Sequence, residues 1–372
     1  MNRTKQIVEK LLQLAGIQIN GHNPWDIQVH DERLYARVLA QGSLGLGEAY
    51  LDGWWDVQQL DEFFNRILQA RLDKKVRGDW KIILQVVLAS LGNLQNKKRA
   101  YDIGKHHYDL GNDLYEAMLD ERLVYTCGYW KKAKTLAEAQ EEKLDLVCKK
   151  LNLQAGQTVL DIGCGWGSFA KFASQKYGAH VVGVTVSQEQ IELGKKNCAG
   201  LPVELRYQDY RDIKNEKFDH IVSLGMFEHV GYKNYRTYME IARRVLKDSG
   251  LFLLHTIGGL HSVKTTDPWI AKYIFPNSML PSLKQLSVAI EGLFVMEDWH
   301  SFGADYDKTL MMWFQNFDQH WQKLKHQYSD RFYRMWKYYL LCCAGSFRAR
   351  KNQLWQIVLS KNGVVGGYPS VR

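Results

Sequence analysis

The stretch VLDIGCGWG, residues 159–167, decides how the chain folds. Its first half is apolar and fit for a buried strand. Its second half interposes Gly163, Gly165 and Gly167 before a helical pattern that begins near Ser168. Glycines at such a junction permit positive φ and a close backbone approach, so a ligand can lie against the strand end and the N-terminus of the next helix. A dinucleotide fingerprint reads GxGxxG, with a ribose-binding acid at the end of the second strand. Here the spacing is GxGxG behind Asp161, which suits a ligand without a pyrophosphate.

Outward from this loop, apolar strands alternate with helical segments: QTVLDIG, HVVGVTV, VELRYQD, FDHIVSLG and GLFLLHTI are the expected strands. That alternation predicts an α/β fold with a parallel sheet covered by helices on both faces. After the second strand, Ser187 followed by Gln190 has the form of a capping box and starts a helix running to Asn197. Residues 1–90 show short helical patterns and Trp-rich turns such as YLDGWWDVQQLDEFF, with no glycine-rich phosphate loop, and predict a small, mainly helical N-terminal domain. The polar, basic stretch GNLQNKKRAYD places a linker at 91–105 and a larger domain, carrying the glycine loop, at 106–372. Near the C-terminus, Leu310, Trp313, Phe314, Phe317, Trp321 and Leu324 mark one helix face, and Phe332, Trp336, Tyr339, Cys343 and Phe347 another.

The 372 residues suggest two or three domains, and 46% hydrophobic with 24% charged residues excludes disorder and collagen-like architectures. No apolar run approaches the roughly 20 residues of a spanning helix; the longest, 82–89, is interrupted by Gln85. The N-terminus spaces Ile7, Val8, Leu11, Leu12 and Leu14 as an amphipathic helix rather than a signal-peptide core. Six cysteines show neither a CxxC pair nor metal-finger spacing, which fits a reducing cytosol. The net charge of +9 is uneven: residues 320–372 hold 10 basic side chains against the single acid Asp330, while the rest of the chain is balanced.

The glycine loop resembles motif I of the class I S-adenosylmethionine-dependent methyltransferases, which implies a Rossmann-like fold and that cofactor on Asp161, Gly163, Gly165 and Gly167. One departure stands out: the second strand ends in GVTVS, with Thr185 where most such enzymes carry an acid for the ribose hydroxyls. Thr185 and Gln190 are expected to take that place, with Asp209 and Tyr210, after the third strand, near the adenine.

Six further motifs narrow the resemblance: HHYDLGND (106–113), VYTCGYW (124–130), GMFEHVG (225–231), LFLLHTIGG (251–259), FGADYDKTL (302–310) and CAGSFRAR (343–350). All are similar to stretches of the bacterial cyclopropane-fatty-acyl-phospholipid synthases, as is YLDGWW near the N-terminus. The resemblance implies transfer of the methyl carbon of S-adenosylmethionine to the cis double bond of an unsaturated phospholipid acyl chain, with loss of a proton to close a cyclopropane ring. It adds Tyr125 and Thr126 to the cofactor residues, and it implies a bicarbonate base caged by Cys127, Glu228, His255, Ile257 and Tyr306. By chemistry alone, His255 fits equally a satisfied core histidine, and Cys127 a small buried hydrophobe. Cys343 matches a cysteine proposed as catalytic in the family. Alkene methylation needs no enzyme thiolate, however, and the centre of an apolar helix face favours a structural or pocket-lining Cys343. No metal is expected: Asn112 or Asp113 reads as the cap of the helix LYEAML, not as a ligand.

Other classes fit less well. Exocyclic-amine nucleic-acid methyltransferases carry an Asn/Asp-Pro-Pro-aromatic run where this chain reads SLGMFEHV, so no nucleic acid is expected. A small-molecule or lipid methyltransferase without ring closure is the alternative, and a non-catalytic lipid-binding protein conflicts with an intact glycine loop. The basic C-terminal region suggests that Arg331, Arg334, Lys337 and Arg348 form a face docking on anionic lipid head groups. The expected location is cytoplasmic, at the inner face of the membrane, with dimerisation or membrane approach as the roles that the resemblance suggests for residues 1–90.

Overall fold

The computed structural model describes residues 3–72 and 111–372. The expected linker 91–105, the apolar run 82–89 and residues 106–110 of HHYDLGND lie outside the described residues. In chain order the elements are α1 (Arg3–Gln13), β1 (Gln28–Val29), α2 (Arg33–Leu51), β2 (Trp55–Asp56), α3 (Leu60–Gln69), α4 (Asn112–Met118), α5 (Leu136–Lys150), β3 (Thr158–Ile162), α6 (Ser168–Tyr177), β4 (His180–Thr185), α7 (Gln188–Asn197), β5 (Val203–Tyr207), β6 (Phe218–Leu224), α8 (Tyr235–Val245), β7 (Leu246–Gly259), α9 (Pro268–Tyr273), α10 (Leu283–Ile290), β8 (Val295–Ser301), α11 (Ala304–Leu324), α12 (Asp330–Arg348) and β9 (Asn352–Ser360). They fall into two compact units. One comprises Leu119–Thr265, Ser278–Thr309 and Asn352–Arg372, and the other Met1–Met118, Thr266–Asn277 and Leu310–Lys351.

The first unit is built on a seven-stranded sheet in the order β5-β4-β3-β6-β7-β9-β8. All five expected strands form, and they run parallel, with Asp161 opposite Gly183 on β4 and Val222 on β6. Two strands that the sequence reading did not expect make the whole sheet mixed: β9 pairs antiparallel with both β7 and β8. Leu354 to Ser360 on β9 are buried throughout, the polar Gln356 and Ser360 included, so the strand lacks the apolar–polar alternation that would mark it in the sequence. Two apolar clusters cover the sheet faces, one with Leu160, Ile221, Phe252 and Ile357, the other with Val159, Val222, Leu253 and Val358. Adjacent residues along each strand belong to opposite clusters, as the period of two dictates. Thr135 and Glu138 close a reciprocal capping box that starts α5.

The chain winds from β3 outward to β4 and β5, then returns to β6 on the other side of β3. The carboxyl ends of β3 and β6 therefore diverge at a topological switch point, where open α/β sheets bind ligands.

The second unit absorbs much of the aromatic content. Trp55 packs on Tyr50 and Phe63 with ring centroids 5.0 and 5.2 Å apart, and Tyr338 meets Phe64 at 5.2 Å and Trp269 at 4.4 Å. On α12, Phe332, Trp336, Tyr339 and Phe347 are buried, as the apolar stripe predicts. The basic docking face expected opposite that stripe is not free. Arg334 donates to the carbonyls of Tyr50 and Trp55 at 2.7 and 3.1 Å and to Asp56 at 2.8 Å. Arg348 pairs with Asp61 at 2.7 Å, Arg331 with Asp52, and the Lys337 ammonium sits 5.7 Å from the Phe314 ring. Three guanidinium groups thus serve ion pairs within this unit. Among the described residues no helix is long and apolar enough to cross a membrane.

Candidate active site

At the switch point lies a cleft of about 570 Å³. Gly163, Gly165 and Gly167 all adopt left-handed φ, between +54° and +84°. A Cβ on Gly163 would stand 2.6 Å from the Met226 Cβ, so any side chain there collides with the turn after β6. Gly165 differs: its missing Cβ points at nothing within 4 Å, and the residue lines the cleft. Gly167 is the N-cap of α6 and does not line the cleft; its Cβ would come 3.0 Å from the Cys198 sulfur. The third glycine therefore closes the turn, whereas the first two line the cleft.

Asp161, Thr185, Gln190, Asp209, Tyr210, Tyr125 and Thr126, all expected at the cofactor, line this one cleft. The capping box expected at Ser187 is half formed. The Ser187 hydroxyl accepts from the Gln190 amide N–H at 3.4 Å, but the Gln190 side chain turns to the Thr185 hydroxyl, which donates to its Oε1 at 3.0 Å. That diversion joins the two residues at the edge where an acid is usual. Asp209 accepts from the backbone N–H and guanidinium of Arg211, whose hydrogen bonds hold its carboxyl below the usual range.

A buried lysine, which motif reading missed, completes the cleft. Lys143 on α5 is fully buried and lines the cleft, and its ammonium donates to the Thr126 hydroxyl at 2.8 Å. Burial pushes it down to about 8, against the opposing charges of Asp120 and Asp161. Burial likewise pushes Asp161 up to about 7, with the Lys143 cation opposing. The only sequence signal was a lysine among the apolar positions of α5, indistinguishable from a surface lysine without the fold. Trp166, Gln208, His229 and Asn234 also line the cleft; Trp166 and His229 fall inside the quoted motifs, but none of the four is among the expected site residues.

Cys127, Glu228, His255, Ile257 and Tyr306 lie outside the cleft lining but in the same unit. Glu228, in the turn after β6, accepts from the Ile257 amide at 2.6 Å through Oε1, while its Oε2 has no hydrogen-bond partner. Burial pushes this carboxyl up to about 7. His255 is buried on β7 opposite Gln356, whose amide donates to Nδ1 at 3.3 Å and so leaves the ring proton on Nε2, an atom without a partner. Burial holds the imidazole neutral, well below its ordinary value. The Phe302 ring packs against both His255, at 5.9 Å, and Tyr129, at 5.3 Å. Cys127 lies 3.8 Å from the Thr309 hydroxyl on α11, the helix that carries Tyr306 in its first turn, and its buried thiol is raised well above its ordinary value. It is a proton-bearing thiol, not a thiolate. Cys343 belongs to the other unit, half-buried on α12 among its aromatic residues.

Glu228 Oε2 and His255 Nε2 are two of eleven buried side-chain polar atoms without a hydrogen-bond partner among the described residues. Residues 95–357 match the family model described as mycolic acid cyclopropane synthetase. A cyclopropane-fatty-acyl-phospholipid synthase of Escherichia coli is 53% identical over 97% of this chain and 94% of its own. The cyclopropane synthase MmaA2 from Mycobacterium tuberculosis is 30% identical, with a TM-score of 0.65, over 72% of this chain and all of its own. The mycolic acid cyclopropane synthase CmaA1, complexed with SAH and CTAB, is 31% identical at a TM-score of 0.64, with the same coverage. The chain therefore belongs to the cyclopropane-fatty-acyl-phospholipid synthase family of the S-adenosylmethionine-dependent methyltransferases.

Proposed function

We propose that this chain transfers the methyl carbon of S-adenosylmethionine to the cis double bond of an unsaturated acyl chain in a membrane phospholipid and closes a cyclopropane ring, with bicarbonate as the base. The observation that carries the reading is the occurrence, in one unit, of the glycine-loop cleft and of Glu228 Oε2 and His255 Nε2 without partners. The relatives' names suggest the substrate class, and the residues suggest how it would be served.

The open space at Gly165 and the joined Thr185–Gln190 pair fit a nucleoside-bearing cofactor, with Asp209, Tyr210, Tyr125 and Thr126 as further walls. S-Adenosylmethionine, when bound, supplies an electrophilic methyl group on a sulfonium. An alkene is a weak nucleophile, so these walls must hold it close and exclude water. His255, neutral and carrying its proton on Nε2, would donate to an oxyanion. Glu228, poised near neutrality, would donate from or accept at Oε2 while Oε1 stays on the Ile257 amide. Bicarbonate held by these atoms would supply the base for the proton lost on ring closure. Cys127 and Tyr306 complete the cage in this reading, and Cys343 has no chemical step.

The test incubates the purified chain with S-adenosylmethionine, bicarbonate and vesicles of unsaturated phospholipid. Mass spectrometry is expected to find acyl chains heavier by one methylene that resist hydrogenation. Heavier chains that still hydrogenate would establish methyl transfer without ring closure instead. Carbonate-depleted buffer should lower turnover, and added bicarbonate should restore it; indifference to both would remove bicarbonate from the mechanism.

A further inference from the structure

We propose that the loop following β7 and the exposed face of α10 form the surface by which this chain docks on an anionic phospholipid bilayer. The inference rests on the reading above only in that the bilayer holds the substrate. Leu260 and Val263 in the loop are 58% and 41% exposed, and Leu283 and Val288 on α10 are 59% and 60% exposed. Isolated exposed apolar side chains are ordinary, but here two segments are fastened together. The Gly259 amide donates to the Pro281 carbonyl at 2.8 Å, the Ser262 and Ser282 hydroxyls meet at 2.7 Å, and the Gln285 side chain donates to the Val263 carbonyl at 3.0 Å. The apolar side chains therefore stand on one braced patch.

Charge selects the occupant. Lys264 and Lys284 are exposed within the patch, and 257–266 and 275–290 contain no acidic residue, the exposed Asp267 and Glu291 bordering the two segments. Apolar side chains that can enter the acyl boundary, bordered by lysines that can meet phosphates, suit an anionic lipid surface. A second copy suits it poorly, because a twofold contact would set the lysines of both copies against each other. The loop also continues directly from β7, where Leu260 lies three residues beyond Ile257. A bilayer on this patch would meet the strand that carries His255.

The test compares wild type with the pair Leu260→Asp and Leu283→Asp, and with the pair Lys264→Glu and Lys284→Glu, by co-sedimentation with phosphatidylglycerol–phosphatidylethanolamine vesicles. Because the side chains are exposed, the unfolding temperature and S-adenosylmethionine binding should not move. Vesicle affinity should fall at least about tenfold in both pairs, and for the lysine pair only on anionic vesicles. Turnover on detergent-dispersed phospholipid should survive. Unchanged vesicle affinity in both pairs overturns the proposal, as does a change of oligomeric state by light scattering with vesicle binding intact. Vesicle binding lost in the variants while wild type makes no cyclopropane product would keep the docking surface and sink the proposed reaction. Product from wild type with unaltered binding by the variants would do the reverse.

Discussion

Glu228 carries a cost that pH exposes. Its folded-state value near 7 lies above the ordinary 4.5, so the folded protein keeps this proton to a higher pH than the unfolded chain does. That contribution is fully present below about pH 4 and is lost as the pH rises towards 7, amounting to about 3 kcal/mol over the window. Asp161 shifts in the same direction. Glu228→Gln keeps an acceptor for the Ile257 amide and removes the titration. Thermal unfolding of the variant should vary less between pH 4.5 and 7, by about that amount, and an unchanged slope would show that the native carboxyl is already ionised. At this scale the motifs pointed to Glu228 and His255, because their types and order were distinctive. They could not reveal Lys143, whose burial depends on how α5 packs.

Among the elements, α12 shows how a motif can serve structure. A Cβ on Gly345, within CAGSFRAR, would stand 2.4 Å from the Asp61 carbonyl oxygen and 2.9 Å from the Asn65 amide nitrogen, both on α3. The glycine lets two helix backbones touch, and Arg348, one turn on, ties the same helix to Asp61 at 2.7 Å. Gly345→Val should destabilise the protein by about 3 kcal/mol in urea unfolding, since neither backbone can give way. A variant as stable as wild type would mean that α3 and α12 are not in contact in solution. Strands β3 to β7 were legible because local period and flanking glycines specify them. β8 and β9 were not: β9 is buried without a break from Leu354 to Ser360, and its antiparallel place beside β7 is a long-range pairing.

For the molecule as a whole, the +9 charge reads differently once folded. The excess of residues 320–372 is met in part by Asp52, Asp56, Asp61 and Glu62, nearly 300 residues earlier in the chain. Reversing Arg331, Arg334 and Lys337 to Glu is therefore expected to lower the unfolding midpoint, since Arg334 alone satisfies two carbonyls and a carboxylate, worth on the order of 2 kcal/mol. Vesicle affinity of the folded fraction should change little; a selective loss of binding with stability intact would return the docking role to α12.

By itself the sequence determined the α/β class, the glycine-loop cleft and the family, because strand period, positive-φ glycines and ordered motifs are local properties that survive without coordinates. Only the tertiary structure decided which charges are free, that Lys143 is buried beside Asp161, and that Glu228 Oε2 and His255 Nε2 lack partners. Burial and pairing belong to residues distant along the chain, and the desolvation that shifts Lys143, Asp161, Glu228 and His255 exists only after they meet.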